Sequence, residues 1–207
     1  MTLDTKDQKT SYALGLDIGS SFSKLPIDVQ LECFFAGVSD VFEGKPIQLE
    51  QGEFETVMRE FQKNLKAEGE KKQQEAGTSN SSEGSAFLAE NGSKDDVTTT
   101  ATGLQYTVIT EGEGSAPTAE DTVQVHYTGM LLDETVFDSS VKRGTPATFP
   151  LNRVIAGWTE GVQLMKVGSK YRFFVPPELA YGEQGAGQAI GPNATLIFDV
   201  ELLSIGG

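Results

Sequence analysis

VIAGWTEGV, residues 154–162, contains Trp158, the only tryptophan in a chain of 207 residues, with Gly157 and Gly161 close beside it. The amphipathic pattern around it predicts a short helix from about Gly157 to Met165. Glycine disfavours a helix by up to about 1 kcal/mol per position relative to alanine. A tryptophan that only fills a core is more often flanked by good helix formers, so we infer that another group approaches this helix closely.

The segments around this helix, from Leu104 to the C-terminus, are short and rich in β-forming residues. They are LQYTVI (104–109), TVQVHYTGML (122–131), KYRFFV (170–175) and ATLIFDVELL (194–203). In the last segment, Leu196 and every second residue after it are apolar, whereas Asp199 and Glu201 lie between them. This alternation predicts a one-sided antiparallel sheet with the single short helix across its concave face, which places Trp158 against the sheet.

The amino-terminal half carries three amphipathic patterns with helical spacing. Their apolar positions are Leu14, Ile18 and Phe22; Leu31, Phe34, Phe35, Val38 and Phe42; and Phe54, Val57, Met58, Phe61 and Leu65. Because these few apolar residues can form only a thin core, we expect the apolar faces of the helices to be covered by oligomerisation. Gly15 and Gly19 share one face, where they either admit a second helix or only loosen their own. Cys33 is expected to be a small buried residue.

Polar and charged residues dominate the segment after Leu65, and no apolar stripe follows until Phe87 and Leu88. The segment is either a helix held in solvent by local charge pairs or a flexible tether. Its stretch GTSNSSEG is rich in weak helix formers, so we expect a break in the helix near residues 77–84. The predicted organisation is a helical domain over residues 1–66, a polar linker over 67–103 and a β-rich domain over 104–207.

Charge and rare residues exclude several classes of function. With 16 basic and 30 acidic residues, the net charge is −14, which opposes binding to nucleic acid or to an anionic membrane surface. One cysteine and one histidine leave no disulfide framework and too few ligands for structural zinc. His126 should face outward from a strand if Val125 and Tyr127 face inward, which leaves no base for a nucleophilic triad. We expect no metal and no cofactor.

Targeting and phosphate-binding motifs are also missing. GEQGAGQAIG, residues 182–191, precedes a strand and lacks the lysine of a phosphate-binding loop, so we interpret it as a mobile loop beside a site. No apolar run approaches the roughly 20 residues that cross a bilayer, and the N-terminus lacks a signal-peptide pattern. We therefore expect a cytoplasmic protein that does not bind membranes.

One group of aromatic and branched residues with few polar neighbours remains to be explained. Its members are Tyr127, Phe137, Val154, Ile155, Trp158, Tyr181, Ile190 and Phe198. From composition alone, this group is either the core of the sheet or the lining of an apolar binding pocket.

Several motifs of the carboxy-terminal half, taken in order, resemble the FKBP-type peptidyl-prolyl cis-trans isomerases. They are VHYTGMLLDETVFDSS (125–140), RGTPATF (143–149), VIAGWTEGVQLMKVGSK (154–170), PPELAYGEQGAG (176–187) and NATLIFDVELL (193–203). The amino-terminal half resembles the dimerisation domain of the Mip-like and FklB-like bacterial subgroup, through SYALGLDIG (11–19) and FFAGVSDVFEGK (34–45).

The resemblance implies an α+β fold: an all-α dimerisation domain, a linker helix, and an antiparallel half-barrel sheet wrapped around one short helix. It implies non-covalent isomerisation of X-Pro bonds, with the proline ring on the indole of Trp158. The residues implied in catalysis are Tyr127, Phe137, Asp138, Trp158, Tyr181 and Phe198, and those implied in substrate binding are Arg143, Val154, Ile155 and Ile190. Asp138 either supplies a field near the rotating carbonyl or is structural, paired with Arg143 or Tyr127.

The resemblance also implies partners. These are proline-containing unfolded or partly folded polypeptides, a second copy bound through the N-terminal helices, and macrolide inhibitors such as tacrolimus and rapamycin. Ala147 and Ala186 stand where relatives usually carry bulkier residues, which predicts a wider pocket. The alternative function is a holdase-type chaperone or binding module with weak isomerase activity. An alternative organisation is a monomer with a detached helical cap.

Overall fold

The computed structural model describes residues 2–206. The chain divides into two compact units, one that ends at Lys71 and one that begins at Lys72. Met1 and Gly207, the outermost residues of the predicted domains, lie outside the described residues. Within residues 2–206, no helix combines the length and the apolar character needed to cross a membrane.

The first unit contains two helices and the first turns of a third. Helix α1 spans Lys6–Phe22, α2 spans Leu31–Glu43 and α3 spans Gln51–Asn91. A capping box starts α1: the Thr5 side chain accepts a hydrogen bond from the Gln8 backbone N–H, and the Gln8 side chain accepts one from the Thr5 backbone N–H. The three helices lie where the hydrophobic spacing predicts them.

The apolar stripes of this unit face solvent in the single chain. No residue of α1 or α2 is buried, and the side chain of Phe42 is 88% exposed. The helices leave two apolar clefts of about 700 and 810 Å³. A Cβ atom added to Gly15 or Gly19 would meet open space. The expectation of a buried Cys33 is wrong for the single chain, where this residue is exposed, because the thin helical layer has no second layer over it.

Helix α3 is continuous from Gln51 to Asn91, so the expected break near residues 77–84 is wrong. In the second unit this helix packs against the loop that precedes the last strand. Gly77 and Gly84 make the contact possible: a Cβ on Gly77 would lie 3.2 Å from the Cβ of Pro192. The weak helix formers of this stretch are thus supported by tertiary packing, which outweighs their low intrinsic propensity.

The second unit is built on one antiparallel sheet. Its strands are β1 (Thr98–Thr99), β2 (Gln105–Thr110), β3 (Thr122–Met130), β4 (Val136–Ser139), β5 (Ala147–Pro150), β6 (Lys170–Val175) and β7 (Leu196–Ile205). Their order is β1-β2-β6-β7-β3-β4, and β5 pairs with β3. The four longer strands lie where the sequence predicts them, whereas β1, β4 and β5 are too short for alternation to reveal. The sheet begins at β1, before the expected boundary at Leu104.

Helix α5, Ala156–Gln163, packs on the buried face of this sheet and overlaps the predicted helix, although it begins one residue earlier and ends two residues earlier. Buried and half-buried residues alternate along β3 and β7, so only one face of these strands enters the core. Gly161 and Gly157 allow the helix to lie close to β6. A Cβ on Gly161 would lie 2.6 Å from the Phe173 ring, and a Cβ on Gly157 would lie 2.5 Å from the Val175 side chain. The predicted α+β fold, with helices followed by an open antiparallel sheet over one short helix, is confirmed.

Candidate active site

Trp158 forms the floor of a pocket between α5 and the sheet. The indole is 4% exposed and meets three rings edge-on. The centroid distances are 5.2 Å to Tyr127, 5.7 Å to Phe149 and 5.4 Å to Phe198, with interplanar angles of 88°, 89° and 82°. Edge-to-face contacts are favourable for aromatic pairs, and three of them hold the indole in one orientation. The glycines beside Trp158 let α5 approach the sheet closely enough for these contacts.

The cavity at Trp158 has a volume of about 450 Å³. Its lining comprises Tyr127, Phe137, Asp138, Phe149, Arg153, Val154, Ile155, Trp158, Tyr181 and Phe198. The lining is mostly apolar and aromatic, with a small number of polar groups, which is typical of a small-molecule or peptide side-chain site. The cavity is large enough for one proline ring and parts of its neighbours.

One wall of the pocket is formed by two phenylalanine rings that pack over Gly129 on β3. Phe137 on β4 and Phe198 on β7 converge on this position from the two flanking strands, with ring centroids 5.7 Å apart. A Cβ on Gly129 would lie 2.6 Å from the Phe137 ring and 2.8 Å from the Phe198 ring. The absence of a side chain at Gly129 therefore allows both rings to pack over β3.

A hydrogen-bonded group of three residues forms the polar edge of the pocket. The Tyr127 hydroxyl donates to the Asp138 carboxylate, and the Arg143 guanidinium donates to the same carboxylate. Arg143 also donates to the Tyr127 hydroxyl at 3.2 Å, and its guanidinium lies 5.8 Å from the centroid of the Tyr127 ring. The one-turn helix α4, Ser140–Arg143, brings Arg143 back toward the pocket directly after β4.

These contacts set the charge states at the edge of the pocket. Partial burial raises the pKa of Asp138, but the hydrogen bonds from Tyr127 and Arg143 outweigh it, and the pKa lies below its usual value of 3.8. Burial raises the pKa of Tyr127 above its usual value of 10.0, and the hydrogen bond to Asp138 raises it further. At neutral pH the pocket therefore carries an ionised carboxylate beside a neutral phenol.

The structure brings together most of the residues that the resemblance implies, and places two of them outside the cavity lining. Arg143 reaches the site through Asp138 and Tyr127 and is absent from the lining. Ile190 is 7% exposed, packs in the buried core and does not line the cavity, so its part in substrate binding stays a prediction. Ala147 and Ala186 also pack against the core and do not line the cavity.

Two residues of the lining, Phe149 and Arg153, were not expected. Phe149 follows Ala147 by two positions on β5, so both point to the same face of the sheet. Strand β5 was not recognised from the sequence, so Phe149, which forms part of the aromatic lining of the cavity, was missed. Arg153 is the last residue of the 3₁₀ turn Leu151–Arg153, which directly precedes Val154.

His126 faces away from the pocket, as the strand alternation predicts. Val125 and Tyr127 on either side of it are buried, and the Nδ1 atom of His126 lies 3.1 Å from the Ser140 hydroxyl. The imidazole is therefore not placed to act as a general base in the pocket.

An aromatic floor, apolar walls and an ionised carboxylate at the edge define a site that can hold a non-polar ring and an adjacent peptide bond without covalent chemistry. Comparison with known proteins assigns this site to a family. Residues 113–203 match the model of the FKBP-type peptidyl-prolyl cis-trans isomerases. Residues 7–108 match the model of the domain amino terminal to the FKBP-type peptidyl-prolyl isomerase.

Individual relatives extend over nearly the whole chain. A probable FKBP-type isomerase, FkpA, of Neisseria meningitidis is 48% identical, over 96% of this chain and 74% of that protein. The FKBP-type 22 kDa isomerase of Escherichia coli is 45% identical, over 99% of this chain and 98% of its own. The crystal structure of FkpA from Escherichia coli superposes with a TM-score of 0.75 at 38% identity and covers 99% of both chains.

The chain belongs to the FKBP-type peptidyl-prolyl cis-trans isomerase family, with the amino-terminal domain that accompanies part of that family. It is an enzyme that accelerates rotation about X-Pro peptide bonds, and the holdase alternative is not favoured. The expected cytoplasmic location stays a prediction.

Proposed function

We propose that the enzyme binds the proline ring of an X-Pro peptide on the indole of Trp158, between Phe137 and Phe198. The observation that carries this proposal is the floor of the cavity, where one indole is held edge-on by three other rings. A proline ring is apolar and flat enough to cover the indole, and the apolar walls exclude water from the peptide bond beside it.

The apolar pocket favours the transition state of the rotation. Amide resonance opposes rotation with a barrier of about 18–20 kcal/mol. The twisted amide has lost resonance, so its carbonyl is less polarised than that of the planar form. A pocket that solvates polar amides poorly therefore destabilises the planar substrate relative to the twisted transition state.

Two polar groups act on the bound peptide in this proposal. Tyr181, which is exposed at the rim of the cavity, donates a hydrogen bond from its hydroxyl to a substrate carbonyl. Asp138 provides a local negative field near the rotating carbonyl, since its carboxylate is ionised and lines the cavity. Both groups leave the covalent bonds of the peptide unchanged.

The exposed apolar faces of the first unit support a dimer as a further part of the proposal. Two copies of the chain associate through α1 and α2, which covers part of the apolar surface that the single chain exposes. The natural substrates are unfolded or partly folded polypeptides that contain proline. Macrolide inhibitors such as tacrolimus and rapamycin would compete for the cavity at Trp158.

The test is the cis-trans exchange rate of a short X-Pro peptide, measured by NMR with the intact chain and with two variants at the floor. Trp158→Ala and Trp158→Leu should both reduce the acceleration, and the leucine variant keeps more of the buried volume if the alanine variant unfolds. Leu164→Ala is the control, because Leu164 caps the same helix with an exposed side chain. Full acceleration by a folded Trp158→Leu enzyme would overturn the proposed binding mode.

A further inference from the structure

The loop from Gly182 to Thr195 connects the rim of the pocket to β7. It begins directly after Tyr181, whose side chain lines the cavity. The backbone N–H of Asn193 donates to the carbonyl oxygen of Gly182 at 2.8 Å, which closes the two ends of the loop onto each other. The backbone position of Tyr181 is therefore tied to that of Asn193.

Helix α3 holds this loop at its closing end. The side-chain amide of Asn80 donates to the carbonyl oxygen of Pro192 at 2.8 Å, across 112 positions of the sequence. The side-chain amide of Asn193 returns a longer contact of 3.4 Å to the carbonyl oxygen of Gly77. The two asparagines thus connect consecutive loop residues, Pro192 and Asn193, to one turn of the helix.

Close packing supports these hydrogen bonds. A Cβ on Gly77 would lie 3.2 Å from Pro192, and a Cβ on Gly191 would lie 3.1 Å from the side-chain nitrogen of Asn80. Gly84 lies directly against Thr195 at the far end of the loop, with no room for a side chain. The loop therefore packs against α3 at Gly191, Pro192 and Thr195.

The backbone at Asn193 needs such support. Asn193 has a φ of +53°, in the left-handed region, which is uncommon for residues other than glycine, although asparagine tolerates it better than most. Two hydrogen bonds hold Asn193 there, one from its backbone to Gly182 and one from its side chain to α3.

We propose that Asn80 is a positioning residue of the isomerase, which fixes the rim residue Tyr181 through Pro192, Asn193 and Gly182. The catalytic unit then includes the last turns of α3 as well as the β-rich domain. This inference rests on the proposed role of Tyr181 at the pocket. Without the Asn80 hydrogen bond the loop is free to move. Substrate binding must then also order Tyr181, which weakens the binding.

The test uses full-length Asn80→Ala, with Asn64→Ala as the matched control, because Asn64 is an exposed asparagine on the same helix. For a short X-Pro peptide, Asn80→Ala should raise KM by about threefold to tenfold, the range expected for one hydrogen bond. The value of kcat should stay within about twofold, and Asn64→Ala should match the unmodified enzyme. Equal KM values for the two variants, or a loss confined to kcat, would overturn the inference.

A double-mutant cycle separates positioning of Tyr181 from a general loss of structure. In a Tyr181→Ala background, Asn80→Ala should change KM by less than about twofold, since the side chain that it positions is gone. The same threefold to tenfold rise in both backgrounds would contradict an effect through Tyr181. A failure of the Asn80 inference can be distinguished from a failure of the proposed pocket, because the Trp158→Leu experiment tests the pocket without any change at Asn80.

Discussion

The hydroxyl of Tyr127 on β3 donates a hydrogen bond to the carboxylate of Asp138 on the neighbouring strand β4. This bond joins the buried aromatic floor to the exposed polar edge of the pocket, because the Tyr127 ring also packs edge-on against Trp158. Asp138 has a structural partner as well as an open face on the cavity, so its two possible roles can be separated by substitution.

Asp138→Leu should lower kcat/KM for a short X-Pro peptide by about tenfold, because it removes the only carboxylate among the described residues that line the cavity and leaves the Tyr127 hydroxyl without its acceptor. Tyr127→Phe is the matched comparison, since it breaks the same hydrogen bond and keeps the carboxylate. We expect the Asp138 variant to lose more activity than the Tyr127 variant. Equal losses would make Asp138 a structural partner only, and unchanged turnover would remove it from catalysis.

The rate of isomerisation should be nearly independent of pH between about pH 5 and pH 9 for a peptide without ionisable side chains. The pKa of Asp138 is lowered from 3.8 and that of Tyr127 is raised from 10.0, so neither group changes its charge in this range. A pH–rate profile of kcat/KM checks this prediction. A step near neutral pH would contradict it.

Gly161→Ala should destabilise the second unit by about 1–3 kcal/mol, because the added methyl group would overlap the Phe173 ring, 2.6 Å away. Gly69→Ala on α3 is the control: its Cβ would meet open space, and alanine favours a helix over glycine by about 1 kcal/mol. Urea unfolding followed by the fluorescence of Trp158 reports on the second unit. Equal midpoints for Gly161→Ala and the unmodified chain would show that α5 can move away from the sheet.

The sequence predicts the long elements well, because their periodicity extends over enough residues to separate a helix from a strand. It misses what short elements contribute: Phe149 lies on the four-residue strand β5, which no alternation reveals. Prediction from the sequence also fails where residues distant in the chain determine the local conformation. The stretch from Gly77 to Gly84 remains helical because the loop near Pro192 packs on it, and local propensity contains no information about that loop.

Residues whose role depends on orientation are equally hard to place from sequence. Ile190 is apolar and lies in the expected loop, and its side chain packs in the core, where it is 7% exposed. Cys33 is predicted wrongly, since its apolar neighbours on α2 suggest a core that the single chain does not form.

The apolar faces of the first unit lead to a prediction about assembly. Sedimentation equilibrium of the intact chain at micromolar concentration should give twice the mass of 22.2 kDa. Phe35 and Phe42 on α2 are exposed in the single chain, where Phe35 borders the first apolar cleft and Phe42 borders both. Phe35→Asp should shift the equilibrium toward one copy, since an unpaired charge is costly to bury in an apolar interface. Activity on a short peptide should not change, because the cavity lies in the second unit.

Gln62→Asp is the control for this substitution, because it places the same charge at an exposed polar position of α3 in the same unit. It should leave the association unchanged. If the unmodified chain sediments as a single copy, the exposed stripes are not a dimer interface and the helical unit is a detached cap. If Phe35→Asp and Gln62→Asp both remain dimeric, the interface avoids Phe35, and α1, α3 or another part of α2 must supply it.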